Sequence, residues 1–266
     1  MWKQLLPPIP KGIDTTIQEA YDFFVVLGVK NVLPQLCVAL DVSDIMEMVD
    51  VVERLRGVVR MFKVGSQLFC SCGPGAVYAL RSRGLEVFVD LKLHDIPSVV
   101  EEAASRLAAC GANMLTIHAT AGPDAFVAAK RALSRFPDPP KIIAVTVLTT
   151  LKHETLKALK LNQTPQKLTV EWAKLAVEAG ADGVVASVSD VARLRKTIPD
   201  VFVVCPGIRP AGTEAHDQVR VATPADAAKA AANVVVVGRP IVRAQNPRSA
   251  AQNILDEMRS ALEETF

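Results

Sequence analysis

The segment richest in reactive side chains is Phe88-Val89-Asp90-Leu91-Lys92-Leu93-His94-Asp95-Ile96-Pro97. It begins as a strand-like apolar run, and residues two apart on a strand share a face, so Asp90 and Lys92 project together. Taking two opposite charges out of water is costly, and an apolar pair of similar volume is often as stable. A structural ion pair is therefore a real competitor for this segment taken alone. Two other positions weigh against it. Lys63 interrupts Met61-Phe62-Lys63-Val64-Gly65, and Asp41 ends Val38-Ala39-Leu40-Asp41. Four ionisable side chains at the ends of three successive apolar runs fit a site that handles charge better than they fit packing.

Such a cluster needs a scaffold that brings the ends of several strands together. Eight short runs rich in β-branched or other apolar residues recur along the chain, at 36–41, 60–65, 87–92, 113–119, 141–148, 182–187, 201–206 and 233–238, with helix-like segments between them. That alternation predicts a parallel sheet, and eight repeats predict a closed (β/α)8 TIM barrel rather than an open sheet. Thr223-Pro224 and Asn246-Pro247 each put a capping side chain before a proline at the first helical position. Gly84, Gly111 and Gly180 follow Ala/Leu-rich helical segments as C-terminal caps. Residues 1–34 form an extension in which Thr15-Thr16-Ile17-Gln18-Glu19 holds overlapping capping boxes, so an additional N-terminal helix packed on the barrel is expected there. The barrel domain is expected over 35–266.

In barrels of this kind the loops after the seventh and eighth strands are the usual phosphate corner. Here they read Pro206-Gly207-Ile208-Arg209-Pro210 and Val237-Gly238-Arg239-Pro240. Gly207, Gly212 and Gly238 allow the backbone to approach a ligand, and Arg209 and Arg239 each present a planar fork of donors that suits phosphate oxygens. Either arginine alone reads as a solvated loop residue; the pair, at these two loops, reads as a phosphate cradle.

Composition narrows the ligand class. The 266 residues carry a formal net charge of +2, which offers no broad attraction to nucleic acid or an anionic membrane but leaves room for a local cationic pocket. Half the residues are hydrophobic and only 5% aromatic, the make-up of buried parallel strands under Ala-rich helices. No apolar run approaches the roughly 20 residues of a membrane span, and residues 1–12 do not resemble a signal peptide, so a soluble cytoplasmic protein is expected. Cys37, Cys70, Cys72, Cys110 and Cys205 lack metal-ligand spacing and read as reduced and mostly buried. No metal is expected. His94 alternates away from Lys92 and His118 ends the fourth run, so core or supporting roles are expected for both.

The pattern Asp90-x-Lys92-x-x-Asp95 followed by Ile96-Pro97 resembles the signature of the orotidine 5′-monophosphate decarboxylases. The resemblance extends over Ala39-Leu40-Asp41, Lys63-Val64-Gly65, Val145-Thr146-Val147-Leu148-Thr149, Pro206-Gly207-Ile208-Arg209-Pro210 and Val237-Gly238-Arg239-Pro240, and leaves out only the N-terminal extension. It implies a cofactor-free conversion of the orotate nucleotide (OMP) to UMP, with Lys63, Asp90, Lys92 and Asp95 as an alternating charge network and Lys92 as general acid. It also implies a homodimer in which Asp95 and Ile96 reach the partner's site. Asp41 would bind the ribose hydroxyls, Arg239 and Arg209 the phosphate, Gly238 the same corner, and Gln218 would close over the nucleotide.

Two positions depart from the family pattern. Thr150 stands at a strand end where bacterial relatives often carry a serine that bonds the pyrimidine; a hydroxyl is retained. Val99 stands where threonine is usual, which removes one hydrogen bond to substrate or partner. Two alternatives share the barrel. A magnesium-dependent sugar-phosphate decarboxylase would typically carry glutamate at the place of Lys63, and a non-catalytic nucleotide-binding relative would not need Asp90 and Lys92 side by side.

Overall fold

The computed structural model describes residues 32–210 and 221–264. The expected N-terminal helix, Gly212 and Gln218 lie outside the described residues. From Leu33 on, the described residues belong to one unit, Leu33–Phe266.

Eight parallel strands close into a barrel in sequence order: β1 (Gln35–Ala39), β2 (Met61–Gly65), β3 (Glu86–Leu93), β4 (Met114–His118), β5 (Lys141–Val145), β6 (Gly183–Val185), β7 (Phe202–Cys205) and β8 (Val234–Val237). Each strand is buried on both faces. Outward residues such as Val38, Phe62, Val89, Leu115 and Val203 join the helices in one core, while Cys37, Ala39, Met61, Phe88, Met114, Ile143, Val204, Val234 and Val236 fill the interior. A fully buried side chain of this size contributes about 1.5–3 kcal/mol relative to exposure. Interior filling also demands close approach. A Cβ at Gly183 would lie 2.5 Å from the Phe202 carbonyl oxygen, so only glycine lets β6 and β7 meet there.

The covering helices are α1 (Ile45–Arg54), α2 (Ser66–Cys72), α3 (Gly75–Arg81), α4 (Pro97–Ala109), α5 (Pro123–Leu133), α6 (His153–Ala158), α7 (Pro165–Glu178), α8 (Val188–Thr197), α9 (Pro224–Lys229), α10 (Arg239–Val242) and α11 (Pro247–Glu263). The expected caps form. Thr223 Oγ1 accepts the Asp226 N–H at 3.0 Å while Asp226 returns the bond to the Thr223 N–H at 2.9 Å, and Asn246 accepts the Ser249 N–H at 3.1 Å. Gly180, just past α7, adopts φ +109°, a conformation that an L side chain would strain.

Two strands fall furthest short of expectation. β5 stops at Val145 because Thr146 turns its hydroxyl to the Val185 carbonyl oxygen at 2.8 Å, and β6 is only three residues long. The apolar run beyond Val145 does not continue the sheet: Val147 packs with Leu156 and Leu168 in a separate small cluster over α6 and α7. Thr150 therefore sits in an exposed turn rather than on a strand end. Among the described residues no helix is long and apolar enough to cross a membrane. Cys37, Cys110 and Cys205 are buried, Cys72 is half-buried and Cys70 is exposed.

Candidate active site

At the C-terminal mouth, β1, β2 and β3 deliver their charges to one point. Lys63 Nζ lies 3.2 Å from Asp90 Oδ2, and Lys92 Nζ lies 2.9 Å from the same oxygen. On its other side Lys63 Nζ is 3.7 Å from Asp41 Oδ1. The β1–β2 pairing continues past the strand end through the Leu40 N–H and the Lys63 carbonyl oxygen at 2.9 Å, which carries Asp41 alongside Lys63. Gly65 leaves the necessary space, since a Cβ there would stand 3.0 Å from the Lys63 ammonium. The set is graded by exposure: the side chains of Lys63 and Asp90 are 13% and 12% exposed, those of Lys92 and Asp41 are 40% and 53%. The inner pair is fixed and the outer pair faces whatever enters.

Electrostatics hold the inner pair ionised. Burial pushes the Lys63 ammonium towards its neutral form, but Asp90 and then Asp41 outweigh it, and the pKa ends above that of an ordinary lysine. Burial likewise disfavours the Asp90 carboxylate, and the two lysines overcome it, so its pKa lies below the ordinary aspartate value.

Sharing of a strand face by Asp90 and Lys92, the expectation from spacing, is only part of the local structure. The β3–β4 register shifts between Val89 and Leu93, and Lys92 adopts φ +51°, uncommon for a residue with a side chain. At the shift the Lys92 N–H donates to Thr116 Oγ1 at 2.8 Å, and that hydroxyl donates to Asp90 Oδ1 at 3.0 Å. Thr116 is buried and was not singled out by its sequence; the available signal was a polar residue at an inward β4 position between Met114 and His118.

Beside Lys92, the Thr120 hydroxyl lies 2.7 Å from His118 Nδ1 and 3.0 Å from His94 Nε2. The Thr120 N–H also points at His118 Nδ1, at 3.4 Å, which makes that nitrogen an acceptor and leaves His94 Nε2 to donate to the hydroxyl. Burial, then His94 and Lys92, lower the His118 pKa below the ordinary histidine value. His118 is half-buried in a supporting position against Trp172, whereas His94 is exposed and not in the core.

Asp95 and Ile96 stand apart. Both are exposed, Asp95 Oδ1 accepts the Ile96 N–H at 2.7 Å, and Asp95 makes no ion pair among the described residues of its own chain. Ile96 and Val99 are 63% and 46% exposed and present apolar surface beside the mouth. At the opposite side of the mouth Arg209 is buried, its Nη1 donating to the Ile208 carbonyl oxygen at 2.8 Å, and the Arg209 N–H pairs with the Ala222 carbonyl oxygen at 2.9 Å. Arg239 is the first residue of α10, directly after Gly238. A Cβ on Gly238 would be 3.5 Å from Asp41 Oδ2, so β8 brings its glycine against the Asp41 carboxylate. Thr150 is in its exposed turn, and Gln218 is outside the described residues. Among the described residues no three His, Cys, Asp or Glu side chains gather as a metal site.

A closed (β/α)8 barrel with buried ionised residues at the C-terminal ends of its strands has the architecture of a barrel enzyme, its site at the mouth. The chain belongs to the orotidine 5′-phosphate decarboxylase / HUMPS family, whose model matches residues 34–254. It is similar to the orotidine 5′-phosphate decarboxylase of Trichlorobacter lovleyi, 41% identical over 224 residues covering 83% of this chain and 93% of that protein. It is also similar to that of Anaeromyxobacter sp. (strain K), 44% identical over 221 residues covering 83% and 96% respectively. The crystal structure of orotidine 5′-phosphate decarboxylase from Lactobacillus acidophilus superposes with a TM-score of 0.75 at 33% identity, covering 85% of this chain and 99% of that one.

Proposed function

We propose that Lys92 is the proton donor in the reaction that family membership assigns to this barrel, the decarboxylation of orotidine 5′-monophosphate to UMP and CO2 in pyrimidine biosynthesis. The observation that carries the reading is the chain of charges Asp41–Lys63–Asp90–Lys92, with Lys92 the more exposed of its two ammoniums. When the bond between C6 and the carboxylate breaks, its electron pair stays on C6, a carbon with no carbonyl placed to delocalise it simply. A fixed ammonium stabilises that charge as it forms and then gives C6 its proton. Asp90, bonded to both lysines, holds Lys92 at the mouth. Phosphate binding by Arg209 and Arg239, remote from C6, supplies energy that is expressed at the transition state, with Gln218 closing over the nucleotide. Asp41 binds the ribose hydroxyls and Thr150 the pyrimidine.

The working unit in this reading is a homodimer. Asp95 and Ile96 are exposed at the rim, and Asp95 has no partner charge among the described residues of its own chain, as expected of a residue that serves a neighbour's site. The reaction needs no metal or cofactor, and the Lys63 ammonium already occupies the space between Asp41 and Asp90 where the sugar-phosphate branch would need a cation. Five free cysteines suit a reducing cytoplasm. Residues 1–34 are an extension to the decarboxylase domain at 35–266.

The test is loss of OMP absorbance with formation of UMP in excess EDTA. Full turnover under chelation is expected. Loss of activity that magnesium restores would favour the sugar-phosphate reading, and UMP binding without turnover would favour a non-catalytic relative.

A further inference from the structure

We infer that Thr116 is a positioning residue for the decarboxylation, a single hydroxyl that fixes both the backbone of Lys92 and the carboxylate of Asp90. The inference rests on the reading of Lys92 as proton donor.

Lys92 lies where the β3–β4 ladder breaks register, in a left-handed backbone conformation that is strained for a residue with a Cβ. Such strain persists only where its surroundings over-determine it. In a regular ladder the Lys92 N–H would find a carbonyl on β4; here it finds the Thr116 hydroxyl at 2.8 Å. A hydroxyl has one hydrogen and two lone pairs, so accepting from Lys92 leaves its hydrogen for Asp90 Oδ1 at 3.0 Å. The other Asp90 oxygen takes both ammoniums. The backbone and the ammonium of Lys92 are therefore both linked to one atom, alongside the hold of Lys63 on Asp90. Its backbone is held by Thr116 Oγ1, and its ammonium is held by a carboxylate whose rotation Thr116 Oγ1 also fixes. Thr116 is 1% exposed and faces the interior between Met114 and His118, so it is built into the barrel wall beside the charged cluster.

Valine keeps the shape of threonine and its preference for a strand but supplies neither bond, whereas serine supplies both. Thr116→Val is expected to lower kcat by about 10- to 100-fold, the scale of a misplacement of about 1 Å at the reacting group, with KM for OMP and Kd for UMP within about twofold of the parent. Thr116→Ser is expected to stay close to the parent in kcat. If the valine variant does not fold, Thr116→Ala carries the same comparison with the serine variant. A hydroxyl-free variant that turns over within about threefold of the parent, one whose loss lies in KM, or a serine variant that falls as far as valine would overturn the inference. Lys92→Ala runs alongside as the control for the underlying reading. If that variant keeps parental turnover, the donor assignment fails; if it is inactive while Thr116→Val is unaffected, only the Thr116 inference fails.

Discussion

One inward position separates two kinds of barrel interior. Met61, Phe88 and Met114 are apolar and buried; the next inward residues on the same strands are Lys63, Asp90 and Thr116, which are nearly as closed off but carry charge or a hydroxyl. The lower set stabilises by area alone and asks nothing of its neighbours beyond fit. The upper set is tolerable only because each member satisfies the others: Lys63 has two carboxylates, Asp90 has two ammoniums and a hydroxyl. The expense of buried charge is confined to the end of the barrel where substrate arrives, and the lower interior contributes the stability that offsets it.

The largest effect that sharpens this contrast concerns whose mouth the rim residues complete. If the chain works as the proposed homodimer, the Lys92→Ala and Asp95→Ala proteins should each be nearly inactive. Under subunit exchange, heterodimers should form in which one site carries both lesions and the other neither, and activity should recover to roughly one intact site per heterodimer. No recovery, with heterodimers verified by native mass spectrometry, would put Asp95 in the site of its own chain.

A smaller effect belongs to the phosphate side. Arg239→Ala should weaken UMP binding by roughly 2 to 4 kcal/mol, as expected for a charge-assisted and partly buried contact. Calorimetric titration with unchanged UMP affinity would remove Arg239 from the pocket.

The smallest effect is a pH dependence of stability. The folded pKa of His118 lies below its unfolded value of 6.5, so the unfolded chain takes up this proton first. Stability associated with neutral His118 is present above that value and declines as pH falls through it towards the folded pKa. His118→Gln should therefore lose less thermal stability than the parent between about pH 7 and about pH 5. Parallel melting profiles for the two proteins would contradict the shift.

Much of this was legible in the sequence, for definable reasons. The alternation of eight apolar runs with helix-like segments points to the barrel, and the interruption of those runs by Asp41, Lys63, Asp90 and Lys92 marks the residues that meet at its mouth. What the two-residue spacing of Asp90 and Lys92 cannot register is a break in the period of the strand that carries them. The left-handed Lys92 and the shifted β3–β4 register depend on a hydroxyl from another strand, and threonine in a strand is too ordinary to draw notice. The end of β5 is not legible, because Val147 is as apolar as a strand residue although it belongs to a different cluster, and Thr150 stands in a turn beyond it rather than at a strand end. Asp95 is marked by the motif alone; among the described residues its side chain bonds only the Ile96 N–H.

The central claim is that the charged upper interior works for catalysis and the apolar layer beneath it for stability, with Lys92 the proton donor. It is tested most directly by measuring OMP turnover, UMP affinity and unfolding free energy together for Lys92→Ala and Phe88→Ala. Lys92→Ala should lose at least about 10³-fold in turnover while still binding UMP, and its stability should change by no more than about 1 kcal/mol because that ammonium is partly solvated. Phe88→Ala should lose about 3–5 kcal/mol of stability. A Lys92→Ala enzyme that still forms UMP at near the parental rate would contradict the account.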